Sequence, residues 1–245
     1  MNPDTGTAWR IEAMGDCGLM VEFGQSISPE TSRTARAFAD YLRAHPIAGV
    51  TDVVPAFTTV ALHYRPEVVA DALPGVAGEL PFQRLRRRVG TLLAQDIART
   101  PRAGRLVEVP VCYGGEFGAD LAEVAASCAL APETVIALHC ASPHVVCMLG
   151  FAPGFPYIGG LDRRLAMPRR STPRERVPAG TVAIARDQTA IYSLQTPGGW
   201  NMIGRTPLKL FDPLADPPCL LQPGDELRFV PISPQQYQAI AEQQA

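Results

Sequence analysis

The sequence predicts an α+β protein in two parts, an α/β sandwich followed by a domain built mainly of β-strands. Three observations lead to this prediction. In the first hundred residues, apolar residues at helical spacing alternate with short β-rich runs. A polar segment with proline and glycine, residues 99–105, then interrupts the pattern and marks a domain boundary. From Gly150 onward, short β-like runs alternate with turns rich in glycine and proline, as in barrels and sandwiches.

The first domain is expected to cover residues 1–98, with helices packed on one face of an antiparallel sheet. Its predicted elements are a strand at 18–24, a helix at 29–45, two strands within 50–64 separated at Pro55, a short helix at 66–73 and a helix at 81–98. The apolar face of each long helix predicts a buried set: Ala35, Phe38, Ala39, Leu42, Leu85, Val89, Leu92 and Leu93.

The second domain is expected to cover residues 105–245 and to form a β-barrel with a helical insert. Its predicted elements are a strand at 106–113, helices within 118–129 and 131–142, a strand at 144–150, and β-runs at 181–185, 190–194, 208–211 and 226–230. At the C-terminal end the sequence indicates a single helical turn.

The composition excludes several classes of protein. The chain has 245 residues, 22 of them basic and 24 acidic, so the net charge of −2 argues against a dedicated nucleic-acid binder. No apolar run approaches the ~18 residues of a membrane span. The N-terminus lacks the basic and apolar regions of a signal peptide. We therefore expect a cytoplasmic protein without membrane partners, whose six cysteines are reduced.

Signatures of a self-contained nucleotide or metal site are missing. The sequence contains neither GxxxxGK[ST] nor GxGxxG. The turn at 114–120 places glycines before a helix, where backbone N–H groups could hold an anion, but a plain turn capped by Asp120 is the favoured interpretation. Two histidines and two cysteines lie close in sequence: His139, Cys140, His144 and Cys147. Their spacing matches no zinc finger, so we expect no metal there.

Large aromatic residues stand among turn residues in the segment 150–213. They are Phe151, Phe155, Tyr157 and Trp200. Loops normally carry polar residues, so these four indicate either a lined groove or partner surface, or plugs at the barrel ends. The sequence alone favours neither alternative.

The same segment is rich in arginine. Arg169, Arg174 and Arg205 each stand beside a proline or in a tight turn. A guanidinium held on stiff backbone suits a carboxylate or phosphate, because its fork of donors matches the anion. The alternative is that these arginines pair with carboxylates elsewhere and brace the loops.

Four motifs carry a resemblance to a known family: GFAPGFPYIGGLD, MPRRSTPRERVPAGTVAIA, QTAIYSLQTPGGWNMIGRTPL and FDP. They resemble the allophanate hydrolase subunit 1 family, which includes the B subunit of the bacterial ATP-dependent 5-oxoprolinase and an inhibitor of a sporulation histidine kinase. The resemblance extends over roughly residues 12–232. It implies an N-terminal α/β domain and a cyclophilin-like C-terminal barrel.

The resemblance also implies a function. We expect a subunit that converts 5-oxoproline to glutamate with ATP, together with the A and C subunits, the latter similar to allophanate hydrolase subunit 2. ATP is expected to be shared with these partners, and the isolated chain to be inactive. The alternatives are an inhibitor that binds a sensor histidine kinase, or a component of a urea or amide carboxylase–allophanate hydrolase system.

On this interpretation one groove holds the substrate. Its anion-binding and polar candidates are Arg169, Arg174, Arg205, Gln188 and Thr189, and its wall or interface candidates are Phe151, Phe155, Tyr157 and Trp200. The sequence departs from the family pattern at four positions: His144, Cys147, Arg186 and Ala190. Glycine is usual at the last two, which flank the Gln188–Thr189 pair.

Overall fold

The computed structural model describes residues 9–25, 28–95 and 104–244. The chain divides into two compact units, Met1–Ala103 and Gly104–Ala245. Most of the boundary segment predicted at 99–105, namely residues 99–103, lies outside the described residues, as do residues 96–98 of the last helix predicted in the first domain. Each unit is described by itself below.

The first unit contains a four-stranded antiparallel sheet and three helices. The elements are β1 (Arg10–Ala13), β2 (Gly18–Glu22), α1 (Pro29–Ala44), β3 (Val50–Pro55), β4 (Thr59–Tyr64), α2 (Pro66–Ala72) and α3 (Pro81–Ala94). The strand order is β1-β2-β4-β3. All eight predicted helix-face residues are buried in one core, which confirms the sandwich. Strand β1 was not predicted, because only Ile11 of its four residues is buried and no alternation is visible.

The second unit is a closed β-barrel with helices, as predicted. Its elements are β5 (Leu106–Tyr113), α4 (Leu121–Ser127), α5 (Pro132–Ala141), β6 (His144–Leu149), β7 (Pro156–Gly159), β8 (Arg174–Val177), β9 (Thr181–Ala185), β10 (Gln188–Ile191), β11 (Thr196–Gly198), β12 (Asn201–Arg205), β13 (Glu226–Pro231) and α6 (Pro234–Gln243). Seven strands close in the order β10-β7-β6-β13-β5-β12-β9, while β8 and β11 form a separate ribbon.

Alternating side chains of the barrel strands face two different cores. On β9, Val182 and Ile184 belong to the interior cluster. Their neighbours Ala183 and Ala185 belong to a second cluster on the outer face, together with Ala190 of β10. The outer cluster therefore contains a layer of alanine residues, against which larger side chains pack.

Two predictions for the second unit are wrong in detail. The run 208–211 is not a strand: only Phe211 forms an isolated bridge, to Cys219, and prolines before and after the run limit ladder pairing. The C-terminal segment is not one turn but the ten-residue helix α6. Ser233 caps this helix and Gln236 completes the capping box. None of its residues is buried, so the sequence shows no apolar period.

In the second unit, four strands, β7, β8, β11 and β12, were not predicted, and the run predicted at 190–194 begins earlier, at Gln188. No single described helix has the length and apolarity needed to cross a membrane, although α4 and α5 together, joined by a 91° bend, reach both limits.

Candidate functional site

Five aromatic rings form one cluster on the outer face of the barrel. This aromatic face consists of Phe151, Phe155, Tyr157, Tyr192 and Trp200. Phe155 is at its centre, with ring centroids 5.1 Å from Phe151, 5.1 Å from Tyr157, 5.2 Å from Tyr192 and 6.5 Å from Trp200. The rings meet edge to face, the favourable arrangement for aromatic pairs. The four aromatic residues that the sequence analysis names thus lie together against the alanine layer of the outer face. They do not lie in the barrel interior.

Phe151 is the exposed member of the aromatic face. Its side chain is 64% exposed, and its backbone adopts φ +70°, a left-handed conformation that aromatic residues rarely take. The turn is fixed by Ser193, whose hydroxyl donates to the Pro153 carbonyl at 2.6 Å, and by the Gly150 N–H, which donates to the Phe155 carbonyl at 3.1 Å. Strained backbone that presents an apolar ring to solvent is typical of a functional surface.

Arg169 adds a cation to this face. Its guanidinium carbon lies 5.7 Å from the centroid of the Trp200 ring, within range of a cation–π interaction. No carboxylate in the described parts of the chain pairs with it. The preceding backbone is fixed, because Met167 and Arg186 exchange two main-chain hydrogen bonds. Arg169 is therefore a positioned cation that is free to bind an anion.

Asn201 fixes the loop that carries Arg169 and Arg170. Its side chain is buried, and the Nδ2 amide donates to the carbonyl of Pro168 at 2.9 Å and to that of Ile184 on β9 at 3.1 Å. Just beyond Arg169, the N–H of Arg170 donates to the Gly199 carbonyl at 2.8 Å. The loop is thus fastened on both sides of Arg169, which reduces the entropy that its side chain loses on binding.

Asp120 is the ionic centre of a clamp on the same loop. Only 3% exposed, its carboxylate accepts two hydrogen bonds from Arg174, at 2.9 and 2.6 Å, and one from Arg170 at 3.0 Å. It also accepts the N–H of Met202 at 2.7 Å. Glu123 binds Arg170 at 2.8 Å, and both carboxylates raise the pKa of Arg170, Glu123 through its hydrogen bond more than Asp120. Arg174 is consequently engaged in bracing the loop.

The remaining predicted site residues lie elsewhere. Arg205 stands over the ring of Phe117, at 5.9 Å, and not over Trp200. Thr189 is fully buried and faces the barrel interior, where its hydroxyl lies 3.2 Å from His139 Nε2. Gln188 is half-buried at the start of β10. The structure therefore brings Arg169 together with the aromatic face, but Arg174 faces Asp120, and Arg205 and Thr189 are separate.

The cluster of histidines and cysteines is a hydrogen-bonded part of the barrel core. The hydroxyl of Tyr113 lies 2.8 Å from His139 Nδ1 and 3.5 Å from the Cys140 sulfur. His144 Nε2 donates to the His139 carbonyl at 2.7 Å. Burial lowers the pKa of His139 well below its usual value and that of His144 to about 4, so both rings are neutral near pH 7. Among residues 9–25, 28–95 and 104–244, no three such side chains are grouped to hold a metal ion.

Three residues of the site were missed in the sequence. Tyr192 and Asn201 lie inside the motifs that carry the family resemblance, but neither was given a role. Asp120 was considered only as a helix cap. An acid directly after a glycine turn, combined with an excess of arginines 50 residues later, was the signal available for the clamp.

Comparisons with known proteins agree with this fold. Residues 9–221 match the family described as "Carboxyltransferase domain, subdomain C and D". The chain is 45% identical to the 5-oxoprolinase B subunit of Bacillus subtilis, over 96% of this chain and 98% of that protein. It is 56% identical to the 5-oxoprolinase B subunit of Escherichia coli O157:H7, over 91% and 95%.

Solved structures include the crystal structure of TTHA0988, with a TM-score of 0.74 and 39% identity. The match covers 88% of this chain but only 40% of the longer TTHA0988 chain. The urea amidolyase of K. lactis has a TM-score of 0.71 at 16% identity, covering 98% of this chain and 16% of that protein, and shares the fold. The chain therefore belongs to the carboxyltransferase subdomain C and D family and, within it, to the B-subunit proteins of 5-oxoprolinase.

Proposed function

We propose that this chain acts as the B subunit of an ATP-dependent 5-oxoprolinase, which converts 5-oxoproline to glutamate together with the A and C subunits. The names of the two relatives at 45% and 56% identity support the reaction. The observation that carries the proposal for the site is Arg169, a cation without an acidic partner among the described residues that is held over Trp200.

The substrate matches this arrangement in two ways. Its carboxylate is a planar anion that a guanidinium can bind through two parallel hydrogen bonds. Its five-membered ring is compact and has an apolar edge of two methylene groups, which suits the exposed edge of the aromatic face. The lactam carbonyl is a poor electrophile. Transfer of the γ-phosphoryl group of ATP to the amide oxygen releases ADP and activates the ring carbon. Water then attacks this carbon, the C–N bond breaks, and hydrolysis of the resulting acyl phosphate gives glutamate and phosphate. The sequence has no nucleotide-binding motif, so we assign ATP binding to a site completed by the partner proteins.

Replacement of Arg169 tests the substrate role. In the assembled complex, Arg169→Lys is expected to raise KM for 5-oxoproline roughly tenfold or more, because the charge stays but the fork of donors is lost. KM for ATP is expected to stay unchanged. The measurement is 5-oxoproline-dependent ATP hydrolysis, for which the isolated chain is expected to be inactive. Arg163→Lys, at an exposed arginine without a described ion pair, is the control. An unchanged KM for 5-oxoproline would contradict the assignment.

Phe151 is proposed as an anchor for the C subunit. An exposed ring held rigidly by its turn loses little entropy on docking, and aromatic anchors dominate many interfaces. Phe151→Ser is expected to weaken binding to the C subunit at least tenfold, about 1.4 kcal/mol or more, in a calorimetric titration. Leu214→Ser is the matched control, because Leu214 is 94% exposed and lies outside the aromatic face. Equal affinities of the two variants would show that Phe151 is not the anchor.

A further inference from the structure

Two residues that are neighbours on adjacent strands of the barrel each carry a buried polar atom without a hydrogen-bond partner. Thr181 of β9 and Arg205 of β12 are direct cross-strand neighbours. Thr181 is 0% exposed and its hydroxyl makes no hydrogen bond; Arg205 is half-buried and its Nε is enclosed, also without a hydrogen bond. A buried polar group left without a partner destabilises the fold, because it has lost its hydrogen bonds to water and gained none in return. Two such groups at one place call for a ligand that satisfies both.

The surroundings of Arg205 are narrow and carry no neutralising acid. The guanidinium covers the Phe117 ring, which packs against Tyr237 of α6 at 4.7 Å. Behind it, Gly180 leaves no room for a side chain, since a Cβ there would lie 2.3 Å from the Thr206 carbonyl oxygen. Across the described ranges no carboxylate forms an ion pair with Arg205. The glycine turn at 114–120 and Arg205, both anion candidates in the sequence, thus meet at this place.

We propose that Thr181 and Arg205 form a second anion site, which binds a small oxyanion of the carboxylate or phosphate class. The guanidinium carries a positive charge that no carboxylate of the described residues pairs with, so an anion is the complementary ligand. An oxyanion can accept the Nε–H of Arg205 with one oxygen and the hydroxyl proton of Thr181 with another. This site is distinct from the one at Arg169, because the two arginines stand over different rings, Trp200 and Phe117.

Calorimetric titration of the full chain at constant ionic strength tests the site, with inorganic phosphate and acetate as the two probes. We expect saturable binding of at least one probe. Binding of phosphate alone identifies a phosphate site, and binding of acetate, with or without phosphate, identifies a carboxylate-compatible site. In an Arg169→Gln background, which removes the cation of the substrate site proposed above, Arg205→Gln is expected to abolish this binding. Thr181→Val, which keeps the shape but removes the hydroxyl, is expected to weaken it several-fold. Arg163→Gln is the control for loss of one positive charge and is expected to bind like the unmodified chain.

Two results would overturn the proposal. One is the absence of saturable binding of either probe to the unmodified chain. The other is binding to Arg205→Gln that equals binding to Arg163→Gln. The Arg169→Gln background separates this site from the substrate site proposed above. Binding that persists in this background and is lost on Arg205→Gln belongs to the second site, whatever effect Arg169→Lys has on KM for 5-oxoproline.

Discussion

Asp120→Ala is expected to lower the free energy of unfolding of the barrel unit by about 3–5 kcal/mol, the usual cost of removing one partner from a buried ion pair. The change leaves Arg174 and Arg170 without their shared carboxylate and removes the acceptor of the Met202 N–H. The melting temperature is expected to fall by on the order of 10 °C. Fluorescence of Trp200 in a Trp9→Phe background reports on this unit alone, because the chain has only two tryptophans.

Glu123→Ala is the matched control for the clamp. Glu123 binds the same arginine, but its side chain is 58% exposed, and exposed ion pairs contribute about 1 kcal/mol or less. Adding Arg174→Met to Asp120→Ala is expected to restore part of the loss, because the uncompensated charge is then removed. If Asp120→Ala is no more destabilising than Glu123→Ala, the clamp does not stabilise the loop.

Acid is expected to destabilise the barrel unit through His139 and His144. Burial lowers the pKa of both histidines in the folded state, whereas an unfolded histidine titrates near pH 6.5. Between pH 6.5 and 4 the unfolded chain therefore binds more protons, and stability falls as the pH falls. The fully buried His144, with a pKa of about 4, alone accounts for a loss of about 3 kcal/mol across this window. His139 adds to the loss in the same direction.

Urea unfolding at several pH values between 7 and 4 measures this effect, again through the Trp200 signal. His144→Gln is expected to flatten the dependence of unfolding free energy on pH, even if it lowers stability at pH 7. His63→Gln is the control, because His63 is exposed on β4 in the other unit. A dependence on pH that is equally steep in both variants would refute the role of the buried imidazoles.

The sequence predicts helices and strands best where one face of the element is buried and the opposite face is exposed to solvent. The helices α1 and α3 have a clear apolar period, and all of their predicted inward residues are buried. Strand β12 shows the opposite case: four of its five residues are buried, on both faces, and they include Asn201 and Gly204. Because neither face of β12 is exposed to solvent, its sequence shows no alternation of apolar and polar residues, and the strand could not be predicted.

The sequence indicates candidate residues but not their pairing. The aromatic residues and Arg169 lie together in the structure, whereas Arg174 pairs with Asp120, 54 residues away, which only the folded barrel brings close. The position of Thr189, which faces the barrel interior, could not be predicted for a similar reason. Neighbouring residues of a strand point to opposite sides, and only the register of β10 shows that Ala190 faces outward and Thr189 inward.

The pairing of the first and last barrel strands has a mechanical consequence. Strands β5 and β13 run parallel, with Leu106 opposite Glu226 and Val111 opposite Pro231. The chain enters this pair at one end and leaves it at the other. Force that pulls the two strands apart along the chain therefore loads the whole ladder in shear, and its hydrogen bonds must break together rather than one by one. The barrel is therefore expected to resist a stretching force applied between Leu106 and Pro231.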